Sequence, residues 1–463
     1  MTARQWLRLV LVGLGTSVVP LDSAVNIAFP DITASFGLPL EMIQWVVICY
    51  VLTHAGLMLA FGRIGDIFGH GRVFRAGLLW NGAAFCCCAV APSYEWLLFC
   101  RFLQGIGAAL ILSCAPALVT GLFREDQRAR ALAAFTMMFA LGSAAGPLLG
   151  GMLVVRWGWP GVFWFRAPIA LTALAFLTWA GLPAPPRIGP REPVDLFGAA
   201  LLALGISAVL LALNQLQDFA RHALPAIAFG LAGLAGLLSF VRRERRVTHP
   251  IVDLDLFGID GFAAVNAASV LVSLTGFSVL LFAPYYFVRF TGLSLPMAGA
   301  VLAASFLGSI IASPLAGRMI ERFPAHPILA LGAILSGAGL YLIGTWDVAA
   351  SPAVILTPLV LQGFGTGLFQ VAYMDLVMGG LPPGQRGVAG SLAMLTRTLG
   401  IVTGASLLTL VFHALGVFHA SGAASAAGGE DFLSAFHATF RLAGTISTVT
   451  GIVAGALLSR RSW

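Results

Sequence analysis

The stretch Arg101-Phe102-Leu103-Gln104-Gly105-Ile106-Gly107 lies in a long apolar segment, and its last five residues return almost unchanged as Leu361-Gln362-Gly363-Phe364-Gly365, 258 positions later. Several short matches in one register, all on corresponding apolar segments, indicate an internal duplication. Further pairs at this spacing are Gln127-Arg128 with Gln385-Arg386, Leu141-Gly142 with Leu399-Gly400, and Gly146 with Gly404. Gly62-Arg63 and Asp66 have a weaker echo in Gly317-Arg318 and Glu321.

Composition restricts the class of protein. The chain has 463 residues, of which 59% are hydrophobic and 10% charged, whereas soluble domains carry about 25% charged residues. A soluble enzyme, a secreted disulfide scaffold and a disordered protein are therefore all disfavoured. The apolar segments lack period-2 alternation, and only helices or closed barrels satisfy the backbone in lipid, so we predict membrane-spanning helices.

Fourteen segments are long enough to span a membrane. They cover 7–30, 42–61, 73–92, 96–119, 131–155, 160–182, 196–216, 223–241, 262–288, 296–317, 325–345, 351–379, 388–413 and 434–458. The predicted fold is therefore all-α, with fourteen transmembrane helices.

The duplication relates spans 2, 4 and 5 to spans 10, 12 and 13, which makes spans 7 and 8 an insertion between two six-helix repeats. We predict a first bundle over residues 1–182, a two-helix insertion over 183–260 and a second bundle over 261–463. The connection 183–193 is rich in proline, and the loop at about 413–432 is rich in Ala, Gly and Ser. Two homologous bundles suit a transporter whose substrate site lies between the repeats near the midplane.

Arginine indicates the orientation of the chain. All 26 basic residues are arginine, against 19 acidic residues, for a net charge of +7. Three arginines fall within spans, and with a cytoplasmic N-terminus nineteen lie inside and four outside, which are Arg156, Arg221, Arg289 and Arg441. The positive-inside rule then predicts that both termini are cytoplasmic. Because the charges are scattered over short loops, no nucleic-acid partner is expected.

The remaining composition argues against catalysis. All six cysteines lie in apolar segments, where thiols act as small hydrophobic groups, and no metal site is expected. The sequence has no nucleotide-binding loop of the form GxxxxGK[ST] and no cluster of a nucleophile with a base, so we expect neither an enzyme nor a cofactor. We interpret the N-terminal apolar run as an uncleaved first span, because no small-residue cleavage site follows it.

Polar residues in spans 1 and 4 form the main candidate site. Asp22 lies in span 1 and Asn26 one turn further on, while Arg101 and Gln104 share a face of span 4 at a similar depth. An ionisable group in a membrane is costly and therefore points to function. An Asp22–Arg101 pair is either a static structural pair or a proton-coupling pair, in which substrate displaces the arginine and the acid then takes a proton.

Further charged or titratable residues lie within spans. Arg166 in span 6 either snorkels to the outer interface or adds a second positive charge near Asp22, which would favour an anionic or zwitterionic substrate. Asp375 in span 12 and Arg397 in span 13 pair either structurally or as a second coupling site. His54 is more typical of a satisfied buried histidine than of a proton relay.

Five motifs resemble those of the major facilitator superfamily, and in particular its fourteen-helix drug:proton antiporter branch. The resemblance covers essentially the whole chain. They are Leu21–Pro30 in span 1, Gly62–Gly69 followed by Arg72 after span 2, Arg101–Gly107 in span 4, Gly142–Gly151 in span 5, and His249–Phe257 before span 9. The run Trp159–Pro168 also resembles the sixth-span sequence of the family, with Arg166 where asparagine is usual.

The resemblance implies conformational roles for two motifs. In the loop motif, which includes Gly62 and Gly69, Asp66 and Arg72 would form a latch in which Asp66 meets the positive N-terminal end of a helix in the other half of the protein. The alternative is a solvated loop. His70 and Gly71 stand where the family usually has basic residues.

The span-5 motif has small residues on one helix face and a proline that can bend the helix. Gly142, Gly146 and Gly150 lie on that face, the proline is Pro147, and Gly151 ends the motif. The resemblance associates this motif with export and antiport, whereas the alternative is ordinary close packing of helices.

The resemblance implies a secondary active transporter of the inner or plasma membrane that exports amphipathic organic compounds such as drugs in exchange for protons, by alternating access. The expected partners are a small organic substrate, protons and the lipid bilayer, and a monomer is expected. One alternative is an exporter of one specific metabolite, with anionic and zwitterionic compounds among the candidates. An alternative of another class is a non-transporting membrane sensor, although such a sensor would normally carry a soluble output domain.

The arginine bias and the repeat generate a topology prediction. Reporter fusions at Arg461 and within the arginine cluster at 242–246 should both report a cytoplasmic location, because both sites follow an even number of spans. A periplasmic or extracellular signal from either fusion would contradict the fourteen-span topology.

Overall fold

The computed structural model describes residues 3–38, 42–182, 195–215, 219–248, 250–258, 261–293, 295–348, 350–381, 385–414 and 428–459. Every regular element within these ranges is a helix, in agreement with the predicted all-α class. The proline-rich connection 183–193 and most of the loop at 413–432 lie outside the described residues.

Seventeen α-helices run along the described chain. They are α1 (Ala3–Ser17), α2 (Ala24–Ile27), α3 (Phe29–Phe36), α4 (Gln44–Phe68), α5 (His70–Ala89), α6 (Tyr94–Gly121), α7 (Arg128–Trp157), α8 (Gly161–Trp164), α9 (Arg166–Ala180), α10 (Leu196–Gln215), α11 (Phe219–Glu244), α12 (Phe262–Tyr286), α13 (Leu295–Ile320), α14 (Ala325–Ile343), α15 (Pro352–Gly379), α16 (Arg386–Ala414) and α17 (Gly428–Ser459). Short 3-10 turns cover Pro20–Ser23, Glu125–Gln127 and Leu254–Gly258, and a π-helical turn covers Phe287–Thr291.

The number of spans agrees approximately with the predicted fourteen. Thirteen helical segments in the described part of the chain are long and apolar enough to cross a membrane. The predicted span 3 corresponds to α5, which is long enough but is not among the thirteen. This helix begins with His70, Arg72 and Arg75 and carries Asn81 in its middle, so its mean hydropathy is lower.

Span 1 is interrupted, whereas the sequence predicted a single run over 7–30. Helix α1 ends at Ser17, a 3-10 turn covers Pro20–Ser23, and α2 begins at Ala24. Pro20 has no backbone N–H to donate to the preceding turn, which ends the α-helical hydrogen-bonding pattern. Asp22 lies on this turn, and the interruption is a feature that the sequence did not predict.

The described chain groups into two compact units. The first comprises Met1–Ser207, Gly233–Ile259 and Val377–Leu395, and the second comprises Ala208–Ala232, Asp260–Leu376 and Thr396–Trp463. This grouping follows packing rather than the repeat, because parts of α10, α11 and α16 fall in different units. The three domains expected from the repeat, 1–182, 183–260 and 261–463, stay a prediction.

Equivalent glycines make equivalent helix contacts in the two repeats. A methyl group added at Gly105 would lie 2.6 Å from Thr53 Cβ on α4, and the equivalent Gly363 lies directly against Ser305 on α13. These close approaches within each unit support the duplication that the sequence predicted.

The glycine face of α7 packs on the interrupted part of span 1. An added Cβ at Gly142 would lie 2.9 Å from Ser17 O, one at Gly150 would lie 3.1 Å from Ala24 Cα, and one at Gly146 would collide with Ser23 Oγ. The equivalent Gly404 on α16 faces Leu274 O of α12 at 2.6 Å from an added Cβ. In both units, therefore, these glycines permit close approach to the first span of the same repeat.

We expect Gly146→Leu to destabilise the protein by about 1–3 kcal/mol, because overpacking costs typically that much. The melting temperature of the detergent-solubilised variant should fall, and Gly146→Ala should show a smaller fall. Gly121→Leu is a matched control, because an added Cβ at Gly121 meets nothing within 4 Å. Equal melting temperatures for Gly146→Leu and Gly121→Leu would contradict the proposed tight packing.

Candidate functional site

Asp22 is the centre of the candidate site in the first unit. It lies on the turn between α1 and α2, and its side chain keeps 13% of its surface exposed. Helix α6 contributes Arg101 and Gln104, and Arg166 is the first residue of α9. Both Asp22 and Arg166 therefore occupy positions where their predicted spans divide into separate helices.

Three side chains bind the Asp22 carboxylate. Arg101 donates through Nη1 to Oδ1 and through Nη2 to Oδ2, both at 2.7 Å, which is the bidentate geometry of a strong ion pair. Gln104 Nε2 donates to Oδ1 at 2.9 Å, and Arg166 Nη1 donates to the same oxygen at 2.5 Å. The carboxylate thus receives four hydrogen bonds in a segment that crosses the membrane.

Arg101 is held by further contacts and is completely buried. Its Nε donates to Val46 O at 2.7 Å, its Nη1 also donates to Gln104 Oε1 at 2.7 Å, and its guanidinium carbon lies 4.4 Å from the Tyr50 ring centroid. The carbonyl groups and the ring replace water around the buried cation.

Arg166 has a similar environment with one difference. Its Nε donates to Val162 O at 2.9 Å, and its guanidinium lies over Phe85 at 4.5 Å and Phe163 at 5.2 Å. Its Nη2 is buried and has no hydrogen-bond partner among the described residues. Since one carboxylate faces two guanidinium groups, the ionised cluster carries a net charge of +1.

The structure joins four of the residues that the sequence singled out, namely Asp22, Arg101, Gln104 and Arg166. The interpretation of Arg166 as a snorkelling residue was wrong, because its side chain is completely buried against Asp22. Asn26, one turn after Asp22 in the sequence, is exposed and is not among the residues that bind Asp22. Its role in a substrate cavity stays a prediction.

Sequence reasoning missed the aromatic side chains that cover the arginines. No pattern in the sequence distinguishes Tyr50 or Phe85 from the many other aromatic residues in spans, although Phe163 lies in the run that resembles the sixth span of the family. His54, in contrast, is buried as expected, and its Nδ1 lies 3.0 Å from Tyr50 O.

Asp375 and Arg397 lie in the second unit. Asp375 is buried in α15 and Arg397 is half-buried in α16, and both side chains have polar or electrostatic interactions. Their predicted pairing and their predicted role in coupling stay predictions.

Asp66 binds the N-terminus of α16 within the first unit. Its Oδ1 accepts a hydrogen bond from Gly387 N at 2.8 Å and its Oδ2 accepts one from Val388 N at 3.2 Å. His70 Nε2 lies 3.2 Å from Oδ1. The carboxylate therefore interacts with the unpaired N–H groups and the positive end of a helix dipole.

Neighbouring groups strengthen this contact. An added Cβ at Gly62 would collide with Ser391 on α16, and Glu125 binds both Arg386 and Arg128. Gly69 joins α4 to α5 with φ of 96°, a conformation that favours glycine. Arg72 is exposed, so the structure gives it no part in the hydrogen bonds to Asp66.

Comparison with known proteins identifies the family. Residues 10–254 and 265–462 match the model of the Major Facilitator Superfamily. The riboflavin transporter RibZ of Clostridioides difficile is 27% identical over 412 residues, which cover 88% of each chain. The multidrug resistance protein Stp of Mycobacterium tuberculosis is 30% identical over 417 residues, which cover 89% of this chain and 77% of Stp.

A solved structure has the same fold. The human organic anion transporter MFSD10 superposes with a TM-score of 0.68 at 17% identity, over 97% of this chain and 98% of that chain. Together with the family match over nearly the whole sequence, these similarities lead to one conclusion: the chain is a transporter of the major facilitator superfamily.

Proposed function

We propose that this transporter exports amphipathic organic compounds in exchange for protons, by alternating access, and that Asp22 binds the proton. The observation that carries the proposal is that the Asp22 carboxylate accepts four hydrogen bonds at the point where a membrane-spanning segment is interrupted. Discontinuous helices at the binding site are common in secondary transporters. The multidrug resistance protein Stp, at 30% identity, supports export of organic compounds.

The chemistry of the cluster accounts for coupling. While both arginines bind Asp22, the ionised carboxylate is stabilised by opposite charge and by hydrogen bonds. Substrate or conformational change that separates Asp22 from the guanidinium groups leaves its carboxylate in a medium that disfavours charge, so Asp22 then takes a proton. Asp22 is also the exposed member of the cluster, with 13% of its side-chain surface accessible, whereas both arginines are fully buried. Because the two arginines are already protonated, Asp22 is the charged member of the cluster that can take up a proton.

The Asp66 contact is the proposed conformational latch. Two backbone N–H groups and the end of α16 bind one carboxylate, so breaking this contact costs free energy in the state described here. A transporter that alternates between two states needs such contacts to be made in one state and released in the other.

The proposed setting follows from the distribution of charge. The protein lies in the inner or plasma membrane with both termini in the cytoplasm, because most loop arginines then lie inside.

A narrower function is supported by a specific relative. RibZ is named a riboflavin transporter and covers 88% of this chain, which favours a transporter of one metabolite as the second candidate. Efflux measured across a panel of unrelated dyes and antibiotics in a pump-deleted host separates the two, because an exporter of one metabolite would protect against few or none of them.

We expect Asp22→Asn to abolish proton-driven transport, because the amide keeps the size of the side chain and cannot titrate. The measurement is uptake of rhodamine B and of its methyl ester into everted vesicles with an acidic lumen. Dye exchange without a pH gradient should persist, which distinguishes lost coupling from misfolding. Asp31→Asn is the matched control, since Asp31 lies on α3 outside the cluster. Normal gradient-driven uptake by Asp22→Asn would assign proton binding elsewhere, with Asp375 as the next candidate.

We expect Asp66→Asn to change the rate of turnover by roughly threefold to tenfold, because loss of charge at a helix N-terminus is worth about 0.3–1 kcal/mol or more when buried. Turnover is measured as the maximal rate of dye uptake at equal protein expression. Asp126→Asn removes an acid that is 65% exposed and should leave the rate unchanged. Equal rates for the two variants would exclude a latch at Asp66.

A further inference from the structure

The Asp22 cluster has an excess of positive charge that proton binding alone does not explain. Arg101 and Arg166 share a single carboxylate, and among the described residues no other carboxylate binds either guanidinium. The other titratable groups near the cluster are Cys49, Tyr50 and His54 from α4 and Cys88 from α5, and none of them is a carboxylate. A buried cation without its own counter-ion is costly, and Arg166 Nη2 has an unused hydrogen-bond donor as well.

We propose that Arg101 and Arg166 form a site for an anionic group of the substrate, and that Asp22 occupies this site when no substrate is bound. The exporter therefore prefers organic compounds with a carboxylate, as anions or zwitterions, over cations. This inference rests on the proposed function for its link to protons, but the anion site itself depends only on the geometry of the two guanidinium groups.

The position of Asp22 permits this exchange. Its carboxylate lies on a short turn rather than within a continuous α-helix, and it is the exposed member of the cluster. Both guanidinium groups, in contrast, are held by carbonyl oxygens and aromatic rings that are independent of Asp22. The cationic site thus remains in place when the carboxylate leaves.

Charge balance favours an anionic substrate. When a substrate carboxylate replaces Asp22 and the freed Asp22 takes a proton from water, the cluster with its ligand keeps the net charge of +1. A cationic substrate would raise the charge to +2 beside an ionised Asp22 and to +3 beside a protonated one. Like charges repel strongly in a poorly solvated site, so a cation is disfavoured in either protonation state.

The second unit offers no equivalent charge at the repeated position. Arg101 corresponds to Leu359, and Gln104 corresponds to Gln362, which hydrogen-bonds with the neutral Ser305 and Thr366. Arg101 therefore has no charged counterpart at the equivalent position of the second repeat.

The test compares two dyes that differ in one group. Rhodamine B has a free carboxylate, whereas its methyl ester is a cation with the same ring system. Binding of each dye to the purified, detergent-solubilised full chain is measured by fluorescence anisotropy. We expect the wild type to bind rhodamine B more tightly, and Arg166→Asn to reduce this preference about tenfold, in line with loss of a close charge pair.

Two further variants make the result specific. Asp22→Asn removes the internal competitor and should increase the affinity for rhodamine B but not for the ester. Arg166→Lys keeps the charge without the forked geometry, and should retain the preference with weaker binding. Arg156→Asn is the control, because it removes an exposed arginine from the end of α7 and should leave the preference unchanged.

An unchanged preference in folded Arg166→Asn overturns the anion site. If that variant does not fold, equal affinities of wild type and Asp22→Asn for rhodamine B overturn it instead. If Arg166→Asn loses the preference for rhodamine B and dye transport does not depend on the pH gradient, the anion site is supported and proton coupling is rejected. If transport depends on the pH gradient but Arg166→Asn keeps the preference for rhodamine B, the anion site is rejected and proton-coupled export is retained.

Discussion

The Asp22 carboxylate, bound between the guanidinium groups of Arg101 and Arg166, is the interaction on which the candidate site depends. Removing ions from water costs several kcal/mol for each ion, and only close geometry with further hydrogen bonds offsets that cost. Here Gln104 and two backbone carbonyl groups supply those bonds, and aromatic rings cover both cations. The site therefore requires contributions from α4, α5, α6, α8 and α9 at once.

The local backbone around Asp22 follows from a second constraint, which is the close approach of α7. Glycine at positions 142, 146 and 150 lets α7 contact the backbone of residues 17–24. Side chains at these positions would separate the two segments and move the carboxylate away from the arginines. The same arrangement of glycines against a first span occurs in the second unit, where the position equivalent to Arg101 is Leu359. Close packing of glycines against the first span therefore occurs in both repeats, whereas the arginine at position 101 occurs only in the first.

The contact of Asp66 with α16 likewise combines closely packed glycines with a single carboxylate. Glycine at positions 62 and 387 brings two backbones together, and a single carboxylate then satisfies two N–H groups that a helix leaves unpaired. His70 lies beside this carboxylate at the position where the family usually has a basic residue. The contact thus keeps a hydrogen-bonding partner for Asp66 at that position, although the partner is an imidazole.

Sequence alone determined the all-helical membrane fold, the duplication and the candidate pair of Asp22 with Arg101. These properties depend on composition, on periodicity and on the cost of burying charge in lipid, all of which are local or additive. The sequence did not determine the break of span 1 around Pro20, the exposure of Asn26 or the facing of Arg166. Each of these depends on how a helix is rotated and where it bends, and neighbouring helices decide both. Tertiary structure alone decided that Arg166 lies against Asp22, because a fully buried guanidinium is stable only where packing supplies a carboxylate, a carbonyl group and aromatic faces together.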